Sequence, residues 1–173
     1  MSGVTDDDRT LILGLGNPLR GDDGLATAVL DALTQMPLPP AVTLLDSGTP
    51  GLDLLLLWEG YSRVIIVDAA LMDLPPGTWR RFVLADVIIR SENTALQGTL
   101  HAAGLAEALA LADALEALPE QLIIYGVQPQ DVAWRPGLSA AVAATIPEIC
   151  TAICQEITKP PAAIALPEAA SDM

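Results

Sequence analysis

His101 is the only histidine in the chain, and three aspartates, Asp23, Asp46 and Asp68, each follow an apolar run of strand character. Strands in an open α/β sheet deliver their functional groups at their carboxyl ends. An imidazole brought beside carboxylates can hold a divalent transition metal. The same groups can also move protons as general acid and base. These four residues are therefore the candidate catalytic set.

The elements that must position them are legible from apolar periodicity. Thr10–Gly14 (TLILG), Val42–Asp46 (VTLLD), Arg63–Ala69 (RVIIVDA) and Gln121–Val127 (QLIIYGV) read as strands. The third is the most central, because its apolar residues run without alternation. Thr78–Leu84 carries two arginines and reads as an edge strand. Gly14–Gly24 (GLGNPLRGDDG) is a turn-rich loop. It leads to a helix with Leu25, Val29, Leu33 and Met36 on one stripe, ended by the prolines of 37–40. A short helix is expected within Leu52–Glu59. Ser91–Gly98 reads as a polar linker and Thr99 as a cap. His101 then opens a helix in which Ala108, Leu111, Leu115 and Leu118 repeat at helical spacing. Ser139 caps a last helix, with Val142, Ile146, Ile149, Ile153 and Ile157 on one face, which Pro147 kinks or restarts.

Strands alternating with helices predict a three-layer α/β/α sandwich. Its twisted sheet is expected to be mainly parallel and about five-stranded, with one antiparallel edge strand. A single α/β domain is expected over 10–158, between a flexible segment 1–9 and a disordered Pro/Ala-rich tail 159–173. In this fold Asp23, Asp46 and Asp68 meet at one edge. His101 joins them if its helix starts there.

The formal net charge is −14, which repels phosphate backbones and argues against nucleic acid and anionic membranes as partners. The start MSGVTDDDR places acid where a secretory signal needs base. No apolar run approaches the ~18 residues of a membrane span. A cytoplasmic setting is expected. Cys150 and Cys154 lie four apart on one helix face and read as buried thiols rather than a metal pair.

Each motif also has a plainer reading. GLGN suggests a dinucleotide loop, but Leu19 stands where the fingerprint needs its third glycine. Asp22 and Asp23 at the next helix's amino terminus suit a cation, or simply the helix dipole. Asp46-Ser47-Gly48-Thr49 looks like an aspartic-protease signature, yet occurs once in an α/β pattern. Asp46 reads equally as a turn former. Asp68, ending a central apolar strand, is costly unless paired or metal-bound. No G-x-S-x-G or H-E-x-x-H motif is present.

In order and spacing, GLGNPLRGDDG, LLDSGTPG, VIIVDAA, TLHAAGL, IIYGVQP and GLS resemble the NiFe-hydrogenase maturation endopeptidases, from about Thr10 to Ile157. The resemblance implies metal ligands at Asp23, Asp68 and His101, and a D-x-G-T turn at Asp46 to Thr49. The first ligand is often glutamate in that family, so Asp23 is a departure, and Asp22 is its neighbouring alternative. The implied activity is removal of a carboxyl-terminal extension from the hydrogenase large-subunit precursor after nickel insertion. Nickel would be presented by the precursor rather than held permanently, and the protein is taken as a monomer. A metal could polarise the scissile carbonyl or activate water. Alternatively, Asp46 or a ligand carboxylate could serve as general base.

Three other readings share parts of this pattern. A non-catalytic nickel-binding maturation or quality-control protein would use the same ligands. Peptidyl-tRNA hydrolase shares the start GLGNP, but no T-R-H-N segment follows and the charge opposes tRNA. A generic α/β domain would use the same acids as caps and turns.

Overall fold

The computed structural model describes residues 9–83 and 102–160. Four apolar runs bounded by turn residues form the parallel strands β1 (Thr10–Gly14), β2 (Val42–Asp46), β3 (Arg63–Ala69) and β5 (Gln121–Val127). The arginine-bearing run forms β4 (Trp79–Val83) at the sheet's edge, antiparallel to β5. The strand order is β2-β1-β3-β5-β4. Every residue of β3 is buried, as expected of the middle strand of a sheet covered on both faces.

Helices α1 (Leu25–Thr34), α4 (Ala140–Ala143) and α5 (Ile146–Thr158) cover one face. Their Leu25, Val29, Leu33, Val142, Ile149 and Ile153 pack on Ile12, Ile65 and Ile123. Burial of each such side chain stabilises by roughly 1.5–3 kcal/mol. Helices α2 (Leu54–Trp58) and α3 (Ala102–Ala114) cover the other face, against Leu11, Leu13, Val64, Ile66 and Ile124. This is the expected three-layer sandwich. Ser139 caps α4 by accepting from the Val142 N–H, and Pro147 sits in the first turn of the restarted helix α5.

One face differs from the sequence expectation. Leu111 of α3 and Leu115 just beyond its end are 38% and 61% exposed, and the buried stripe is Leu105, Ala108, Leu109 and Ala112. Alanine and leucine alternate around this helix, so its sequence presents nearly equal apolar faces and no stripe dominates.

Residues 140–158 are long and apolar enough to resemble a membrane span. The stretch is broken after Ala143, however, and Ile149, Cys150 and Ile153 lie in the core. Cys150 and Cys154 are free thiols, whose ionisation burial pushes up. Ser91–Gly98, Thr99, His101 and the tail beyond Pro160 lie outside the described residues.

Candidate active site

The site follows from the strand order. β1 pairs with β2 on one side and β3 on the other, so the chain leaves β1 in one direction and returns past it. Loops that diverge from such a switch point open a crevice at the carboxyl ends of the strands. Asp68 ends β3 on one flank of this crevice. Asp23, in a 3-10 turn (Gly21–Gly24) after β1, lies on the other, and that turn contacts β3. Both aspartates have 0% exposure.

The glycines after β1 wrap the chain around Asp23. Gly16 has φ 132°, and a Cβ there would lie 2.0 Å from the Asp23 carbonyl oxygen. Gly21, at φ 55°, would place a Cβ 2.6 Å from the Asp131 carbonyl oxygen. The first motif is therefore a close backbone crossing rather than a phosphate cradle. The Gly16 N–H donates to Gly48 O at 2.8 Å, and the Asn17 N–H donates to Asp23 Oδ2 at 3.0 Å. Gly16→Ala must displace the Asp23 backbone. We expect it to cost about 3 kcal/mol from strain and overlap together. Thermal denaturation reads this directly, and an unchanged melting temperature would contradict the crossing.

Asp22 and Asp23 are adjacent but differently engaged. The Asp22 carboxylate accepts from the N–H groups of Gln130, Asp131 and Ser139 at 2.8, 3.1 and 2.6 Å, and from Ser139 Oγ at 2.9 Å. It straps the loop after β5 to the loop after β1. Burial works to raise its pKa, but these hydrogen bonds together outweigh burial and hold it below the ordinary value. Asp22 thus faces away into a structural role, leaving Asp23 as the candidate ligand of the two.

Asp46 is exposed and accepts from Thr27 Oγ1 at 2.7 Å and from the Gly48 N–H at 3.3 Å. It closes the turn whose Gly48 carbonyl receives Gly16. Strand alternation places Asp68 with Val64 and Ile66, on the face covered by α2 and α3. The position of a Cβ on Gly104 lies 3.4 Å from Pro50 O, so α3 starts against the loop after β2, at the same edge. His101 precedes that helix and lies outside the described residues. Among the described residues no three His, Cys, Asp or Glu side chains are grouped to hold a metal ion. Asp23 and Asp68 are the two fully buried carboxylates of the expected set.

Two neighbours were not apparent from sequence. Arg20 lies with its guanidinium 5.5 Å over the Trp134 ring and Nη1 4.0 Å from Asp23 Oδ2. Trp134 itself is 75% exposed. Only tertiary folding brings these loops together, so no local spacing signals the pair. A cavity of about 320 Å³ lies at the opposite edge, lined by Thr10, Ser62, Arg63 and the end of α5. Arg63 donates there to the Glu156 and Lys159 carbonyls, which caps the helix. The buried carboxylates Asp23 and Asp68 lie at the other, carboxyl edge.

Residues 27–156 match the family model described as hydrogenase maturation protease. The chain is 36% identical over 141 residues to the hydrogenase expression/formation protein HupD of Rhizobium leguminosarum bv. viciae, covering 80% of this chain and 69% of that one. It is 33% identical over 161 residues to HupD of Bradyrhizobium diazoefficiens, covering 92% and 83%. The solved structure of the hydrogenase maturating endopeptidase HybD from E. coli superposes with TM-score 0.76 at 30% identity, covering 86% of this chain and 91% of that one. The NiFe hydrogenase maturation protease HybD from Thermococcus kodakarensis superposes with TM-score 0.71 at 27% identity, covering 87% and 99%.

Proposed function

The chain belongs to the hydrogenase maturation protease family, and from that premise we propose that it removes the carboxyl-terminal extension of a NiFe-hydrogenase large-subunit precursor after nickel has been inserted. The observation that carries this reading is the pair of fully buried aspartates, Asp23 and Asp68, flanking the switch-point crevice.

A carboxylate buried beside apolar strands is costly unless a cation or hydrogen bonds compensate it. Two carboxylates flanking a strand-end crevice suit an arriving cation. In this reading Asp23, Asp68 and His101 grip the nickel of the substrate. Two carboxylates and an imidazole leave positions for ligands the precursor already supplies. Bound there, nickel would polarise the scissile carbonyl or activate water. Asp46, which faces solvent, or a ligand carboxylate would take the proton. The setting we propose is the cytoplasm, with the protein a monomer that binds neither nucleic acid nor membrane. The acidic surface supports that part.

A non-catalytic nickel-binding protein would use the same ligands but would not turn over. Catalytic amounts of this protein should shorten many equivalents of nickel-loaded precursor, read by intact mass. Shortening that never exceeds one precursor per protein would defeat the enzymatic reading.

A further inference from the structure

Among the described residues the Arg20 guanidinium has no hydrogen-bond partner, although its Nε is buried. Its one ion-pair distance, 4.0 Å to Asp23 Oδ2, is too long for a hydrogen bond. A guanidinium carries five N–H donors in a fixed fork, and arginines that serve only structure use them, as Arg81 does with two bonds to Glu156 at 2.8 and 2.9 Å.

What fixes Arg20 instead is the Trp134 ring beneath it. That ring belongs to the loop after β5, which is tied to the Arg20 loop by Gly21 N–H to Arg135 O and Asp22 N–H to Asp131 O, at 2.7 and 2.9 Å. A tryptophan left 75% exposed beside an arginine with open donors, at the rim of a crevice, is the pairing that dominates binding surfaces. Removed from water by a partner, the planar group gains an oxygen acceptor and the ring gains cover.

We propose that Arg20, held flat by Trp134, binds a backbone carbonyl oxygen of the precursor segment being cleaved, and so seats that segment beside Asp23. The assignment rests on the proposed endopeptidase function. It makes Arg20 a substrate-binding residue and Trp134 its positioning residue. It also explains a positive charge at the mouth of an otherwise acidic molecule. A peptide oxygen is attracted there without adding an anion to the two aspartates.

The test is steady-state cleavage of nickel-loaded large-subunit precursor by the wild type and by Arg20→Gln, Arg20→Lys and Trp134→Ala, with the melting temperature of each. Arg20→Gln should raise KM about 30-fold with kcat within about 3-fold, as lost ground-state binding does. Arg20→Lys should recover only a small part, because an ammonium neither forks nor stacks in the same way. Trp134→Ala should raise KM about 5-fold, and melting temperatures should hold within about 2 °C. An unchanged KM in Arg20→Gln overturns the assignment. So does a KM rise that is matched by a fall in melting temperature, which would make Arg20 a brace for the loop. If the wild type itself cleaves nothing, the proposed function fails; if the wild type cleaves and the Arg20 variants equal it, only the Arg20 assignment fails.

Discussion

An Asp68→Ala protein should process nickel-loaded precursor at least about 10³-fold more slowly than the wild type in kcat/KM, on the order of 4 kcal/mol of lost transition-state stabilisation. Asp68 stands at the carboxyl end of the middle strand, between β1 and β5, in register with Gly126. Its backbone is paired with β5 on one side, and the β1 pairing ends one residue earlier at Val67, so it stands at a rigid strand end, a precise place from which to present a ligand. Asp68→Asn separates the two explanations for a loss. The amide keeps the volume and one acceptor oxygen, so a packing role predicts recovery. An amide cannot neutralise a dication, so the ligand role predicts a loss close to that of alanine. Near-normal processing by the asparagine variant would remove Asp68 from the proposed site.

The second large effect is on stability, at the neighbouring position of the crevice. Asp22→Ala leaves the N–H groups of Gln130, Asp131 and Ser139 without their acceptor. Each such group costs about 1–3 kcal/mol when water cannot replace the lost partner, and the groups share one carboxylate, so we expect about 3–5 kcal/mol in all. For a chain of this length that lowers the melting temperature on the order of 10 °C.

The pH dependence has a definite sign. The folded pKa of Asp22 is lowered from 3.8, so this stabilisation is complete above the unfolded value and is lost as pH falls through the folded one. Glu156 behaves alike: burial raises its pKa, but the Arg81 hydrogen bonds and charge outweigh that and hold it below 4.5. Denaturation curves should therefore be flat in stability from neutral pH down to the ordinary carboxylate range and fall below it. Asp22→Ala should show a shallower acid-side fall. An Asp22→Ala protein as stable as the wild type would mean that the loop after β5 is held by other contacts.

Sequence and structure agree where local pattern and tertiary role coincide. The four parallel strands are readable to the residue because each is a short apolar run bounded by turn formers; in β1, β3 and β5 burial on both faces leaves no alternation to misread, and β2, at the edge, is only half-buried. The edge strand was readable from Arg80 and Arg81, which a central strand does not tolerate. The face of α3 was not, because alanine and leucine surround it.

At the site, the sequence could nominate Asp22 and Asp23 but not divide their roles. The division depends on Gln130 and Ser139, more than a hundred residues away. The sequence reads Asp46 equally as turn former and as general base, and its bonds to Thr27 and Gly48 are those of the turn. Gly16 looked like part of a nucleotide loop, and only the fold reveals the backbone it must let pass. Arg20 and Trp134 carry no local signature at all, since their meeting is made by two loops joined through Asp22.

The most direct test of the central claim is the intact mass of one large-subunit precursor, prepared with and without nickel and treated with catalytic amounts of this protein. The account predicts loss of a carboxyl-terminal fragment from the nickel-loaded precursor and an unaltered mass for the nickel-free one. Equal shortening of both would contradict it, because the aspartates at the crevice would then serve cleavage without reading the metal.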